Sequence, residues 1–233
     1  MSERLQSEID FEKLRTAAGR TGIDLFGTAR LREEDRLLFH ESIREIAKSL
    51  PYAVSMGMRL SDPVLQTVQT APTWTYYYHY RQVNIALDQA ALFLAGEIQR
   101  EGFTALPIPA SQILDWDLLK AHLSHREIAG LAGLGWIGRN NLLITPEFGS
   151  MVRLVTVLTD MELPAQSGEH AGGDCGNCRA CVNMCPVEAI DDDPGNFNLD
   201  KCAVQLRRFA KSENINTMIC GLCIKVCRGA GKS

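Results

Sequence analysis

Cys175, Cys178, Cys181 and Cys185 follow one another at gaps of two, two and three residues, and Pro186 comes directly after the last. Thiolates at that spacing are the ligand pattern of cubane iron–sulfur clusters. Successive short gaps let one curling loop point three sulfurs at a single cube, and the proline sends the chain away so that the fourth cysteine serves another. Cys220, Cys223 and Cys227 make a second arm. A complete arm would carry a further cysteine at position 217, where Thr217 stands; Cys202 is the remaining thiol that can fill the place. The crossed logic of two-cluster ferredoxins then puts Cys175, Cys178, Cys181 and Cys227 on one 4Fe–4S cluster and Cys185, Cys202, Cys220 and Cys223 on a second. Such a pair moves single electrons at low potential.

Other uses of these thiols fit less well. Disulfide frameworks belong to short secreted chains, whereas this one has 233 residues and no cysteine ahead of Cys175. Zinc is bound by CxxC pairs, but it does not account for three ligands on one loop with a proline after the fourth. The polar, acidic start MSERLQSEID carries no export pattern, and no apolar run approaches the length of a membrane span. The expectation is a cytoplasmic protein. The formal charge is −4, from 24 basic and 28 acidic residues, and two bound clusters would bring it to about −8. That balance argues against a general nucleic-acid binder, whose affinity comes from phosphate neutralisation. Arg207, Arg208 and Lys211 read as a solvated helix face.

Three further groups of residues could carry chemistry. Gly133-Leu134-Gly135-Trp136-Ile137-Gly138 matches the dinucleotide-binding string, and Asp160 lies at roughly the spacing of a ribose-binding acid. The context is wrong, because a helical pattern precedes the string and a strand-turn-strand pattern follows it, while a pyrophosphate needs a strand before and a helix after. The glycines then serve either as a backbone surface approached by a large flat cofactor or as a tight helix-to-strand turn, with Trp136 capping the core. Trp74 to Arg81 places four tyrosines beside His79; these line a pocket or form an aromatic seam between helix and sheet. Asp115 and Asp117 flank Trp116 and could supply a general acid.

Apolar periodicity predicts helices ending near Gly19, over 33–49, over 75–101 and over 119–131, with strands at 23–29, 52–58 and 103–108. Residues 142–145 and 152–158 read as a hairpin around Pro146–Ser150. A Gly-rich stretch from Leu163 to Asp174 reads as a linker, dividing the chain into residues 1–163 and 164–233. The fold class expected is α+β.

The cysteine layout with its isolated Cys202, the run Ala132–Asn140, the pair Gly149-Ser150 and Leu158-Thr159-Asp160 together resemble the epoxyqueuosine reductase family. The resemblance extends over most of residues 10–228 and, beyond that family, to reductive dehalogenases. It implies a nitroreductase-like α/β corrinoid-binding domain followed by a ferredoxin-like domain with two 4Fe–4S clusters, and cobalamin as the further cofactor. The clusters would feed electrons to the corrinoid for reduction of a substrate. Cradle residues implied are Tyr78, His79, Gly133, Gly135, Trp136, Ile137, Gly138, Asn140, Gly149 and Ser150, with Tyr78 or Asp115 delivering the proton. Two departures stand out. The family's C-terminal helical-repeat domain, which helps hold tRNA, is expected to be missing, because the chain ends at Ser233 shortly after Cys227. The family's catalytic aspartate lies just ahead of the Gly-rich motif, but here Pro107–Gln112 has no aspartate and the next is Asp115. Both departures set queuosine chemistry and tRNA binding apart from the electron-to-corrinoid machinery. Expected partners are a low-potential donor such as ferredoxin or flavodoxin and a small-molecule or modified-nucleoside substrate. The alternatives are an electron carrier or corrinoid reductase with no substrate of its own, and a flavin in place of the corrinoid.

Overall fold

A computed structural model describes residues 3–37, 39–116, 119–165 and 173–229. Leu38, Asp117 and most of the expected linker (166–172) lie outside these residues. The chain divides into two compact units. Unit 1 comprises residues 1–58, 84–134 and 153–171; unit 2 comprises 59–83, 135–152 and 172–233. Unit 2 therefore draws on sequence from both sides of residue 163.

Unit 1 is built on a four-stranded sheet. Its strands are β1 (Leu25–Arg30), β2 (Tyr52–Arg59), β3 (Ala105–Ile108) and β6 (Val152–Thr159), in the order β1-β2-β6-β3. β1 pairs antiparallel with β2, Gly27 opposite Ser55, and β3 pairs antiparallel with β6, Leu106 opposite Leu158. The two central strands, β2 and β6, are buried along nearly their whole length, which is the signature of a sheet covered on both faces. Helix α1 (Glu3–Gly19) buries Phe11, Leu14 and Ala18 at helical spacing, and Phe11 meets Phe26 of β1 edge to face at 5.4 Å. A further buried cluster joins Phe39, Ile43, Ala47, Leu50, Ile108, Leu123, Ile128 and Leu158. Gly27 is required where α6 (His125–Leu131) ends on β1: a Cβ there would lie 2.5 Å from the Ala132 carbonyl oxygen.

Some of the expected elements differ. The helix over 33–49 is two, α2 (Glu33–Leu37) and α3 (Glu41–Ala47), because His40 leaves the helical region and its imidazole accepts the Ser42 N–H as an N-cap. The helix over 119–131 begins only at His125, since Leu119 adopts φ 53° and Lys120 bridges back to Asp115. The expected hairpin does not form. β5 (Leu143–Ile144) pairs instead with β4 (Trp136–Ile137), while β6 joins the main sheet. Two-residue strands are too short to show alternation. The long helix is α5 (Trp74–Arg100), close to its expected span. The short α4 (Asp62–Gln66), opened by Pro63, was not foreseen.

The segment 107–112 is held in place by polar groups. His125 is partly buried between Thr156 and the 107–112 segment, with Nε2 2.9 Å from the Pro109 carbonyl oxygen and Nδ1 2.8 Å from Thr156 Oγ1. A carbonyl can only accept, so Nε2 carries the proton and Nδ1 takes the hydroxyl hydrogen. The Ala110 N–H donates to Asp88, and Arg153 donates to Asn84 and to the Ala110 carbonyl. Burial drives the His125 pKa down from 6.5 to about 4, with Arg153 and His122 adding to it and the Pro109 bond opposing it.

Between those two values the unfolded chain binds a proton that the folded chain refuses. The stability from neutral His125 is thus complete above about pH 6.5 and is lost as pH falls toward 4. From this group alone, stability should fall by about 2 kcal/mol between about pH 7 and about pH 5. Denaturant unfolding of His125→Gln at the same two pH values should show that much less pH dependence; equal slopes in variant and parent would refute the assignment.

Candidate functional site

All eight cysteines are free thiols and all belong to unit 2. Cys175 and Cys178 lie on the loop before α7 (Ala180–Met184), Cys181 lies on that helix, and Cys185 is its C-cap. Cys202 is carried by α8 (Leu199–Ser212), which starts where Asn198 accepts the Lys201 N–H. Cys223 lies on α9 (Leu222–Lys225), with Cys220 before it and Cys227 after it. The thiols influence one another: Cys181 is affected by Cys227, Cys175 and Cys178, Cys202 by Cys185, Cys220 by Cys202 and Cys185, and Cys223 by Cys220, Cys202, Cys181 and Cys185. Among the described residues, no three His, Cys, Asp or Glu side chains converge on the position of one metal ion. A four-iron cube distributes its thiolates over separate corners.

These thiols have the chemistry of sites for a cationic inorganic core. Burial first, and neighbouring thiols second, push Cys181 and Cys220 up to about 11 and raise Cys202 and Cys223. Several thiolates so placed need positive charge among them. The Ala189 N–H points at Cys185 Sγ at 3.3 Å. Gly138 backs onto the first thiol loop: a Cβ there would sit 3.3 Å from Cys175 Sγ. Gly173, two residues before Cys175, packs so closely on the Trp136 ring that a Cβ would lie 2.2 Å from it. The Trp136 indole N–H is buried with no hydrogen-bond partner among the described residues, a donor suited to an acceptor that a bound group would bring.

The expected cradle residues are largely engaged with the protein itself. Gly133, at φ 75°, closes α6, which is the helix-to-strand turn reading of the motif. Gly135 lets the Ile144 carbonyl approach, and Gly149, at φ 58°, lets the Cys227 carbonyl come to 2.2 Å of where a Cβ would be. Asn140 and Ser150 are buried and bonded to each other, Asn140 donating to Ser150 Oγ at 3.2 Å. His79 Nε2 accepts the Ser61 N–H at 3.0 Å, so that lone pair is occupied, and burial lowers its pKa. Tyr78 is 65% exposed and Ile137 is 37% exposed, so these two present their side chains to solvent. Asp115 lies in unit 1 and is paired through its backbone with Lys120; Asp117 is outside the described residues.

Tyr76, one of the four tyrosines between Trp74 and Arg81, is fully buried under Gly221 of the Cys220–Cys223 loop, where a Cβ would be 2.8 Å from the ring. Other residues that matter to the thiol loops have no pattern of their own in the sequence. Lys225 donates to the Val68 carbonyl, and Arg228 pairs with Asp62 at 2.7 Å, fastening the chain on either side of Cys227. Arg139, directly after Gly138, donates to three carbonyls around the first thiol loop. A glycine inside a CxxC loop is the one signal that pointed this way, since it marks a close approach.

No protein-family model matches the chain. A stretch of 80 residues is 38% identical to epoxyqueuosine reductase of Bacillus anthracis, over 34% of this chain and 20% of that protein. A stretch of 125 residues is 32% identical to epoxyqueuosine reductase of Pseudomonas aeruginosa, over 52% of this chain and 30% of the relative. The sequence relatives are epoxyqueuosine reductases. Matches with the first of them span 20–30% of their length. Among solved structures, the catabolic reductive dehalogenase NpRdhA superposes with a TM-score of 0.71 at 19% identity, covering 93% of this chain and 31% of that one. Epoxyqueuosine reductase from Streptococcus thermophilus gives 0.61 at 19% identity, over 93% of this chain and 65% of its own. The mixed α+β fold is therefore the one these two kinds of reductase share.

Gly149→Ala forces a left-handed backbone onto alanine and drives its Cβ into the Cys227 main chain. It should cost about 1–3 kcal/mol from backbone strain alone, with loosened retention of iron measured after anaerobic reconstitution. Gly19→Ala, where nothing lies within 4 Å of the new Cβ, should leave both unchanged. Similar behaviour of the two variants would show that the close approach at Gly149 is unimportant.

Proposed function

We propose that the chain is an iron–sulfur, corrinoid-dependent reductase in which Cys175, Cys178, Cys181 and Cys227 hold one 4Fe–4S cluster and Cys185, Cys202, Cys220 and Cys223 hold a second. The observation that carries this reading is that eight free thiols, spaced as cluster ligands are, all lie in one compact unit. The similarity to epoxyqueuosine reductases, and to a fold represented by a dehalogenase described as B12-dependent, supports the reductase class and the corrinoid. When bound, these groups supply low-potential single electrons and a strongly reducing centre. The chain's own residues hold the thiols in register, shield them from water and bind substrate. A modified nucleoside is the substrate class that the relatives favour, since an epoxyqueuosine reductase has been solved with an epoxyqueuosine-modified tRNA stem loop. The donor is a low-potential protein such as a ferredoxin or flavodoxin, and the site of action is the cytoplasm.

A second reading, an electron carrier or corrinoid reductase with no substrate of its own, is favoured by one observation. Gly135, Gly138 and Gly149, which a flat cofactor would need open, are in contact with protein atoms.

Anaerobically reconstituted protein should contain about eight iron and eight acid-labile sulfide per chain, and Cys202→Ser should lose up to about half. Protein supplied with cobalamin should keep it through gel filtration, seen in the optical spectrum. It should also remove epoxyqueuosine from tRNA in the presence of a low-potential reductant. Full iron with no corrinoid retained selects the carrier reading; about four iron or fewer in the parent chain refutes the paired clusters.

A further inference from the structure

The guanidinium of Arg139 occupies an unusual position. Its Nε donates to the Asp192 carbonyl at 2.6 Å, Nη2 to the Gly176 carbonyl at 2.8 Å and Nη1 to the Cys178 carbonyl at 3.2 Å. All three acceptors are main-chain oxygens, so none neutralises its charge. The carboxylate of Asp192 is engaged elsewhere, with Arg179 at 2.9 Å. The loop that Arg139 grips carries two thiols of the first quartet, and two of its N–H groups are already committed. Gly176 donates to Asp174 Oδ1 and Cys178 donates to the Cys175 carbonyl. Gly138, the residue before Arg139, abuts Cys175 Sγ. A half-buried cation is thus fixed to the rim of one quartet, in a geometry that the planar fork of arginine satisfies and the single ammonium of lysine does not.

Resting on the two-cluster reading, we propose that Arg139 sets the reduction potential of the first cluster and separates it from that of the second. Reduction adds one electron to the cluster and breaks no bond. The core passes from about +2 to about +1 and the cluster with its thiolates from about −2 to about −3, the electron coming from a low-potential one-electron donor. A neighbouring positive charge stabilises the more negative state, so it raises the potential. Arg139 also ties Gly176 and Cys178 to Asp192, fixing the loop in the shape from which its thiols meet the cube. The charge of Arg139 thus makes the first cluster more readily reduced than it would otherwise be.

The test is an anaerobic redox titration of reconstituted protein followed by electron paramagnetic resonance, for the parent chain, Arg139→Lys and Arg139→Gln. Iron is counted in each sample, and Cys178→Ser identifies which signal belongs to the first cluster. In Arg139→Gln with full iron, the reduced-to-oxidised ratio of the first cluster at a fixed potential should fall about tenfold, which is about 59 mV for one electron. The second cluster should stay where it was, and Arg139→Lys, which keeps the charge, should fall between the parent and Arg139→Gln. A shift under twofold in Arg139→Gln, or equal shifts in both clusters, overturns the proposal. So does Arg139→Lys matching Arg139→Gln in potential. Loss of iron confined to the two variants, with unchanged potential in the cluster that remains, assigns Arg139 to loop anchoring and also overturns it. Parent protein with about four iron or fewer counts against the two-cluster reading itself.

Discussion

Crowded thiols repel as soon as they ionise, and the molecule gathers eight of them in one compact unit. In Cys181, Cys202, Cys220 and Cys223 burial and neighbouring sulfur both oppose the thiolate form. That arrangement is unfavourable for the bare chain and favourable around a positively charged inorganic core, so the folding of this part and the binding of such a core are coupled. The rest of unit 2 can be understood as the means of holding a costly arrangement. Tyr76 lies beneath Gly221, Lys225 and Arg228 fasten the chain beside Cys227, and Gly149 admits the Cys227 carbonyl.

Unit 1 meets a different demand. Its central strands are buried along nearly their full length, and polar groups inside it are bonded to one another: His125 with Thr156 and Pro109, Arg153 with Asn84, Thr28 with Pro164. The clamp on Pro109 and Ala110 fixes the segment that follows β3. Position there is set by hydrogen bonds rather than by a charged side chain of the segment itself.

Ligand spacing is a local property, so the cysteines and their cluster-like spacing were legible in the sequence. The core helices α1 and α5 and the strands β1, β2 and β6 were legible for the same reason: each is long enough to show a period. What escaped was short or contextual. α4 has five residues and β4 and β5 have two each, too few for a pattern. The break at His40 depends on an imidazole acting as a cap, which composition alone does not announce. The string from Gly133 to Gly138 was read as a turn or a cofactor surface. The structure gives it the turn at Gly133, and at Gly135 and Gly138 close packing against Ile144 and Cys175. Arg139 followed that motif without any pattern of its own; the three carbonyls it gathers come from sequence tens of residues away.

Helix α7 carries Cys181 and, four residues later at its C-cap, Cys185. Four residues advance an α-helix by about 6 Å, and the peptide units between them are as stiff as any in the molecule. On the proposed reading, the hop between the two clusters would cross a fixed gap set by covalent geometry. Solvent viscosity, partner docking or loop motion would change how charge arrives and departs, but not the speed of its passage across that one turn.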